Sequence, residues 1–195
     1  QTRSVELAMN QSVRLQVRSS FKNLPGTMVV NEDEILEKQV VSGIAYSRDE
    51  AKITLVDVRD RPGVAAAIFG PLAKANVNVD MIVQSTSANG KSTGITFTVA
   101  KNDFERALEV INNSGEQLKF GDLLTDQTLV KISVIGVGMR SHAGVAKKMF
   151  ETLAEKGINV HVISTSEIKI SVLIAEEYTE LALRALHTAY DLEAG

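Results

Sequence analysis

The sequence predicts an α+β fold in which one small unit occurs twice, each copy an antiparallel sheet with helices on one face. Three observations point there. First, segments 81 residues apart match: Gly63-Val64-Ala65 with Gly144-Val145-Ala146, Phe69 with Phe150, Leu72-Ala73 with Leu153-Ala154, and Val77-Asn78-Val79 with Ile158-Asn159-Val160. Second, strand-like runs flank these matches: Ile53-Thr54-Leu55-Val56 with Ile132-Ser133-Val134-Ile135 upstream, at offset 79, and Thr96-Phe97-Thr98-Val99 with Ile170-Ser171-Val172-Leu173 downstream. Third, the hydrophobic period alternates between strand and helix in the order β-α-β-β-α in both copies. Repeats of roughly 70 residues are too long for a solenoid and suit a duplicated domain.

In chain order, residues 2–10 suit a helix, 14–18 a strand, and Pro25-Gly26-Thr27 a turn. Residues 31–38 are charged and read as solvent-exposed, and 40–46 as a further strand. Residues 52–58 open the first copy as a strand, and 131–137 open the second. The loops Asp60-Arg61-Pro62-Gly63 and Gly138-Met139-Arg140-Ser141-His142 lead into helices over 64–75 and 145–156. Gly70-Pro71 predicts a kink or broken turn in the first helix. Asn76 and Gly157 are stop signals. Second strands follow at 77–85 and 158–166, and third strands at 93–100 and 168–174, with Asn89-Gly90 marking a hairpin. Asn102-Asp103 reads as the cap of a helix that presents Phe104, Leu108 and Ile111 on one face. A helix over 177–190 is its counterpart, with Tyr178, Leu181, Ala185 and Leu186. A short last strand is expected near 118–123. The order is ferredoxin-like, βαββαβ. The expected divisions are 1–30, 31–51 (a linker and an extra strand that joins the second sheet), 52–125 and 126–193. With little chain left after residue 190, the strand at 40–46 is expected to complete the second copy's sheet.

Composition excludes several classes. The chain has 195 residues, 44% hydrophobic and 23% charged, with net charge −3. Disorder is therefore unexpected, and the basic excess of a nucleic-acid binder is missing. Cysteine is absent, which removes disulfides, thiolate metal sites and thiol nucleophiles and fits a reducing compartment such as the cytoplasm. No apolar run approaches the ~20 residues that span a bilayer. There is no initiating Met, so Gln1 reads as an internal cut.

Catalytic motifs are not evident. His142, His161 and His187 show no metal spacing with carboxylates. Gly136-Val137-Gly138 follows a strand, but the third glycine position of a dinucleotide loop holds Ser141. The informative loop is Asp60-Arg61-Pro62-Gly63. It joins a strand to a helix N-terminus, which favours a carboxylate, while Asp60 favours an ammonium. An α-amino acid carries both charges, although a plain turn with a helix-start proline uses the same residues. Asn78, Gln84, Asn159 and Ser166 are polar in strand-like runs, either as edge hydrogen-bonders or as pocket donors.

Five segments in this order resemble the regulatory region of bacterial aspartokinase, a tandem pair of ACT domains: residues 47–54, 60–63, 79–84, 137–142 and 163–171. The resemblance covers almost the whole chain and implies that residues 1–30 are the end of a kinase lobe. The lobe itself, with its ATP, Mg and aspartate sites, is not in this sequence, so no cofactor and no catalytic residue is expected here. The implied activity is allosteric: threonine, lysine or both bind between ACT domains and inhibit phosphorylation of aspartate. A threonine-type pocket would use Asp60, Gly63, Ala65, Gln84, Asn159 and Val160. A lysine-type pocket would use Asp80, Val145, Ala146, Met149, Ser166 and Glu167. The two copies are not equivalent, because His161 stands where the first copy has Asp80 and the second loop is longer. A homodimer through ACT sheet edges and contact with the catalytic lobe are implied, with no nucleic acid and no membrane. The alternatives are an assembly module without ligand and a free-standing ACT-type sensor. The beginning of the chain matches neither a separate regulatory subunit nor a free sensor, and reads as a piece of a longer enzyme.

Overall fold

The computed structural model describes residues 2–29, 40–87, 90–136 and 143–192. The expectations for residues 31–38, for Asn89 and for the Gly138–His142 loop lie outside them. The chain divides into two compact units, Gln1–Val40 and Val41–Gly195. The first holds helix α1 (Thr2–Asn10) and the antiparallel pair β1 (Leu15–Val17) and β2 (Thr27–Val29). Leu7, Val13, Phe21 and Leu24 are exposed on it.

The second unit carries the repeat. Its elements are β3 (Gly43–Arg59), α2 (Val64–Lys74), β4 (Val79–Thr86), β5 (Ser92–Val99), α3 (Phe104–Asn113), the single turn α4 (Gly115–Leu118), β6 (Asp122–Ile135), α5 (Ala143–Glu155), β7 (Val162–Thr165), β8 (Lys169–Ala175) and α6 (Thr179–Ala189). The six strands form one sheet in the order β4-β5-β3-β6-β8-β7, antiparallel throughout.

Two pairs of expected strands are each a single strand. The strands at 40–46 and 52–58 are the two ends of the 17-residue β3. The last strand of the first copy begins at Asp122 rather than Leu118, which ends α4, and it runs on as the first strand of the second copy in the 14-residue β6. Near their middles both strands shift register, between Ser47 and Glu50 and between Glu50 and Lys52. The first half of β3, Gly43–Ser47, pairs with Ile135–Lys131, and its second half pairs with β5 and with Asp122–Asp126. Alternating runs predict strand at both ends of β3 and at the end of β6, whereas of the expected strand at 118–123 only residues 122–123 are strand. They do not show continuity, because the polar Ser47-Arg48-Asp49 stretch resembles a break.

Each half has its own core. Ile53, Leu55, Ile95 and Phe97 pack under Val64, Ile68 and Leu72 of α2 and Phe104 and Ile111 of α3. Ile132, Val134, Ile170 and Val172 pack under Met149 and Leu153 of α5 and Ala182 and Leu186 of α6. The buried Val64-Ile68-Leu72 stripe runs along α2, which continues through Gly70-Pro71, so of the kink or broken turn expected there the break does not occur. Asn76 and Gly157 end their helices at φ +56° and +68°. The expected cap of α3 is not formed by Asp103, whose carboxylate instead pairs with Arg106. Strands β4 and β7, at opposite ends of the sheet, approach one another, and Met81, Leu129, Val162 and Leu173 form a small third cluster there.

Because β3 and β6 belong to both halves, the halves are expected to unfold together. Phe97→Ala in one core and Leu186→Ala in the other should each cost about 2–5 kcal/mol and lower a single urea transition. Two separate transitions would show independent halves.

Candidate functional site

Two places combine charge, cavity and helix or strand ends. The first is the loop between β3 and α2. Its start is held by the Asp60 N–H donating to the Lys91 carbonyl at 3.2 Å, and the Val64 N–H closes onto the Arg61 carbonyl at 3.2 Å. Gly63 sits at φ +87°, a conformation a side chain resists, and it is the residue immediately before the helix. No side chain caps α2; the Val64 N–H is taken by Arg61, and the next N–H groups of the first turn are claimed by no capping side chain. Asp60, Arg61, Pro62, Gly63, Val64, Ala65 and Gln84 line a concavity of about 440 Å³. Gln84 arrives from β4, where it pairs with Ile95. Four of the six threonine-type residues therefore converge. Asn159 and Val160, in the turn between α5 and β7, do not line it; Asn159 is exposed and Val160 packs against the second core.

The second place surrounds Asp80 on β4. Its Oδ2 accepts from Lys131 Nζ at 2.8 Å, and its Oδ1 accepts from the Met81 amide at 2.8 Å. Lys131, on β6, also reaches Glu50 Oε1 on β3 at 2.5 Å. Glu50 is 5% exposed, and a buried carboxylate needs a charged partner. Burial pushes the Asp80 carboxyl up, but the Lys131 and Met81 hydrogen bonds and the charges of Lys131 and Lys169 outweigh it, so its pKa lies below 3.8. Burial pushes Lys131 down, but hydrogen bonds to Asp80 and Glu50 and their charges win, so its pKa lies above 10.5. Beside this triad, Ser47, Asp49, Glu50, Asn78, Asp80 and Thr98 line a cavity of about 280 Å³.

The remaining lysine-type residues do not line that cavity. Val145 and Met149 are buried in the second core and Ala146 packs on it. The Val145 carbonyl accepts from the Tyr190 hydroxyl at 2.7 Å. Ser166 closes a turn with Lys169, and Glu167 is exposed beside it. Glu50, Lys131 and Thr98 were not singled out from sequence. The available signal was weak: a charged residue at the start of an apolar run looks like a strand boundary, whereas Glu50 and Lys131 lie inside strands. Among the described residues no group of His, Asp and Glu is arranged to hold a metal ion, and no helix is long and apolar enough to cross a membrane.

The ACT domain family model matches the chain twice, at residues 53–114 and 132–190. The whole chain aligns with the aspartate kinase of Pseudomonas putida at 51% identity, covering 47% of that protein. The chain belongs to the aspartokinase family. Within it, the chain corresponds to the ACT-repeat regulatory region. The Helicobacter pylori aspartokinase is 46% identical over 98% of the chain and 47% of its own length. The solved regulatory subunit of aspartate kinase from Thermus thermophilus, in a ligand-free form, is 38% identical with TM-score 0.74, covering 78% of this chain and 99% of that one. The chain thus spans about half the length of the curated aspartokinases it matches.

Two outcomes follow for the Asp80 region. Thr98 is fully buried and its Oγ1 has no hydrogen-bond partner, so Thr98→Val should stabilise the ligand-free chain by about 1 kcal/mol in urea unfolding. The depressed Asp80 contributes stability that is present above 3.8 and lost as pH falls through its lower folded value. The raised Lys131 contributes stability that is full below 10.5 and lost as pH rises through its higher folded value. The stability gap between wild type and Lys131→Met, measured against pH, should shrink toward acid, where Asp80 takes up its proton, and toward alkali, where Lys131 loses its own.

Proposed function

We propose that this chain is the part of an aspartokinase that reads end-product amino acids and feeds the reading back on phosphorylation of L-aspartate by ATP. One observation carries it: the Asp60 carboxylate and the uncapped N-terminus of α2 border the same concavity. An amino-acid ligand offers its ammonium to Asp60 and its carboxylate to the N–H groups that follow Val64 in the first turn of α2. Gln84 adds a side-chain amide for a hydroxyl, which suits threonine. ATP and Mg belong to the catalytic lobe of the parent enzyme, and this chain binds neither.

In this reading Asp80 accepts the ammonium of lysine in a second pocket. Asn159 and Val160, and Ser166 and Glu167 with the start of α5, complete the two pockets from a second copy of the chain, in a homodimer that joins ACT units at their sheet edges. The assembly works in the cytoplasm. Inhibition arises only if the ligand binds one arrangement of the ACT units more tightly than another, since equal affinity shifts nothing.

Asp60→Ala tests the threonine pocket. Asp60 is exposed, so its loss opens no cavity in the core. A charge-assisted contact of about 1.5–3 kcal/mol corresponds to threonine affinity weakened by about 10- to 150-fold in calorimetry. In the full-length enzyme the same change should spare kinase activity and relieve inhibition by threonine. Unchanged threonine affinity would show that Asp60-Arg61-Pro62-Gly63 is only a turn.

A further inference from the structure

The cavity beside Asp80 has a polar lining of three carboxylates, two hydroxyls and one amide, and no cationic residue lines it: Ser47, Asp49, Glu50, Asn78, Asp80 and Thr98. Thr98 Oγ1 is buried within that lining and has no partner. Asp49 has given one oxygen to the Lys101 amide at 2.8 Å. Such a lining is matched by a cation that donates several hydrogen bonds, which is what an ammonium does. One ammonium already reaches it from the adjoining strand: Lys131 Nζ, 17% exposed at its side chain, bridges Glu50 at 2.5 Å and Asp80 at 2.8 Å.

The two acceptors are not alike. The Glu50 side chain is 6% exposed and that of Asp80 is 54% exposed. Glu50 cannot lose its cation without leaving a charge buried alone, which is strongly destabilising. Asp80 can exchange one cation for another because water covers part of it. Exchange at Asp80 is therefore the low-cost move, and Lys131 stays with Glu50 throughout.

We propose that Lys131 is a built-in occupant of an ammonium seat at Asp80, and that a ligand with a primary ammonium binds by taking Asp80 over from it. The resident group is a lysine side chain, so the side-chain ammonium of free lysine presents the same chemistry. The inference rests on the reading of Asp80 as part of a lysine pocket and adds the residue that sets its affinity. It also names a consequence: once Asp80 is taken over, Lys131 pairs with Glu50 alone, so binding at β4 changes the bridge between β3 and β6 where the two repeats meet.

The test is calorimetry of the whole chain with L-lysine. In the double variant Lys131→Gln/Glu50→Gln the bridge becomes a neutral amide pair, no buried charge is stranded and the competitor is gone. Lysine affinity should tighten by about three- to tenfold, the scale of one partly exposed ion pair. Glu50→Gln alone leaves Lys131 entirely to Asp80, and lysine affinity should weaken several-fold. Opposite signs in the two variants are the expected signature. A folded double variant with unchanged or weaker affinity overturns the inference. An unchanged or tighter Glu50→Gln does the same, and it decides the matter if the double variant does not fold. Asp80→Ala separates the two levels. If it binds lysine like wild type, Asp80 is not in the pocket and the underlying reading fails. If it loses lysine while the Glu50 and Lys131 variants leave affinity untouched, the reading stands and the exchange is wrong. No lysine binding to wild type overturns both.

Discussion

Two strands are long enough to serve both repeats, and most of the architecture follows from that. A unit of this kind needs four strands, yet the second copy has only β6, β8 and β7 beyond its shared boundary. Its fourth partner is Gly43–Ser47, the leading half of β3, while the trailing half of the same strand lies at the centre of the first copy. Where β3 passes from the second copy's half of the sheet to the first copy's half, its register with β6 shifts on both sides of Glu50. The shifts have a chemical side-effect. They place the charged Glu50 at 5% exposure. Lys131 on β6 answers it, and the pair of shared strands is thereby tied by charge at the point where hydrogen-bond register is interrupted.

This arrangement puts both candidate sites on the same strand. Asp60 follows directly on the C-terminal end of β3, and Glu50 lies near its middle, in reach of Lys131 and through it of Asp80. A ligand that pulls on either site acts on a strand the two cores share. In a sheet with two close-packed cores, small displacements resolve into discrete repackings rather than gradual bending. On the proposed reading, that is a physical route by which one regulatory region would respond to two amino acids, and it requires no separate signal path between them.

Fold class was legible because each copy repeats the same periodicity, and the Gly-Val-Ala, Leu-Ala and Asn matches fix the register of one copy on the other. The Asp60 loop was legible for a similar reason: strand, acid, proline, glycine and helix follow one another within a few residues, so local chemistry is enough. The continuity of β3 and of β6 was not, because polar residues at a register shift look like a loop. The Glu50–Lys131–Asp80 bridge was hidden for a deeper reason. Its members lie 30 and 51 residues apart in sequence and meet only because the sheet order places β3 beside β6 and curls β4 toward β7. No periodicity encodes that meeting, and Thr98, one more threonine in an alternating strand, gives no sign that its hydroxyl is left unpaired.

The backbone at Asp80 shows what holding that bridge requires. Between Asp80 and Val83 the pairing of β4 with β5 shifts, and Met81 is left at φ +46°, a left-handed conformation that costs a side-chain-bearing residue about 1–3 kcal/mol. Two gains offset it. Met81 is turned into the small cluster with Leu129, Val162 and Leu173, where it is 3% exposed. Its N–H, released from the ladder by the bulge, donates to Asp80 Oδ1 and leaves Oδ2 for Lys131. A regular strand would give Asp80 neither the amide nor the same aim. The strain at Met81 thus fixes one oxygen of the carboxylate to the backbone and presents the other to a cation. That is the geometry a seat needs if its occupant is to be exchanged without the seat itself moving.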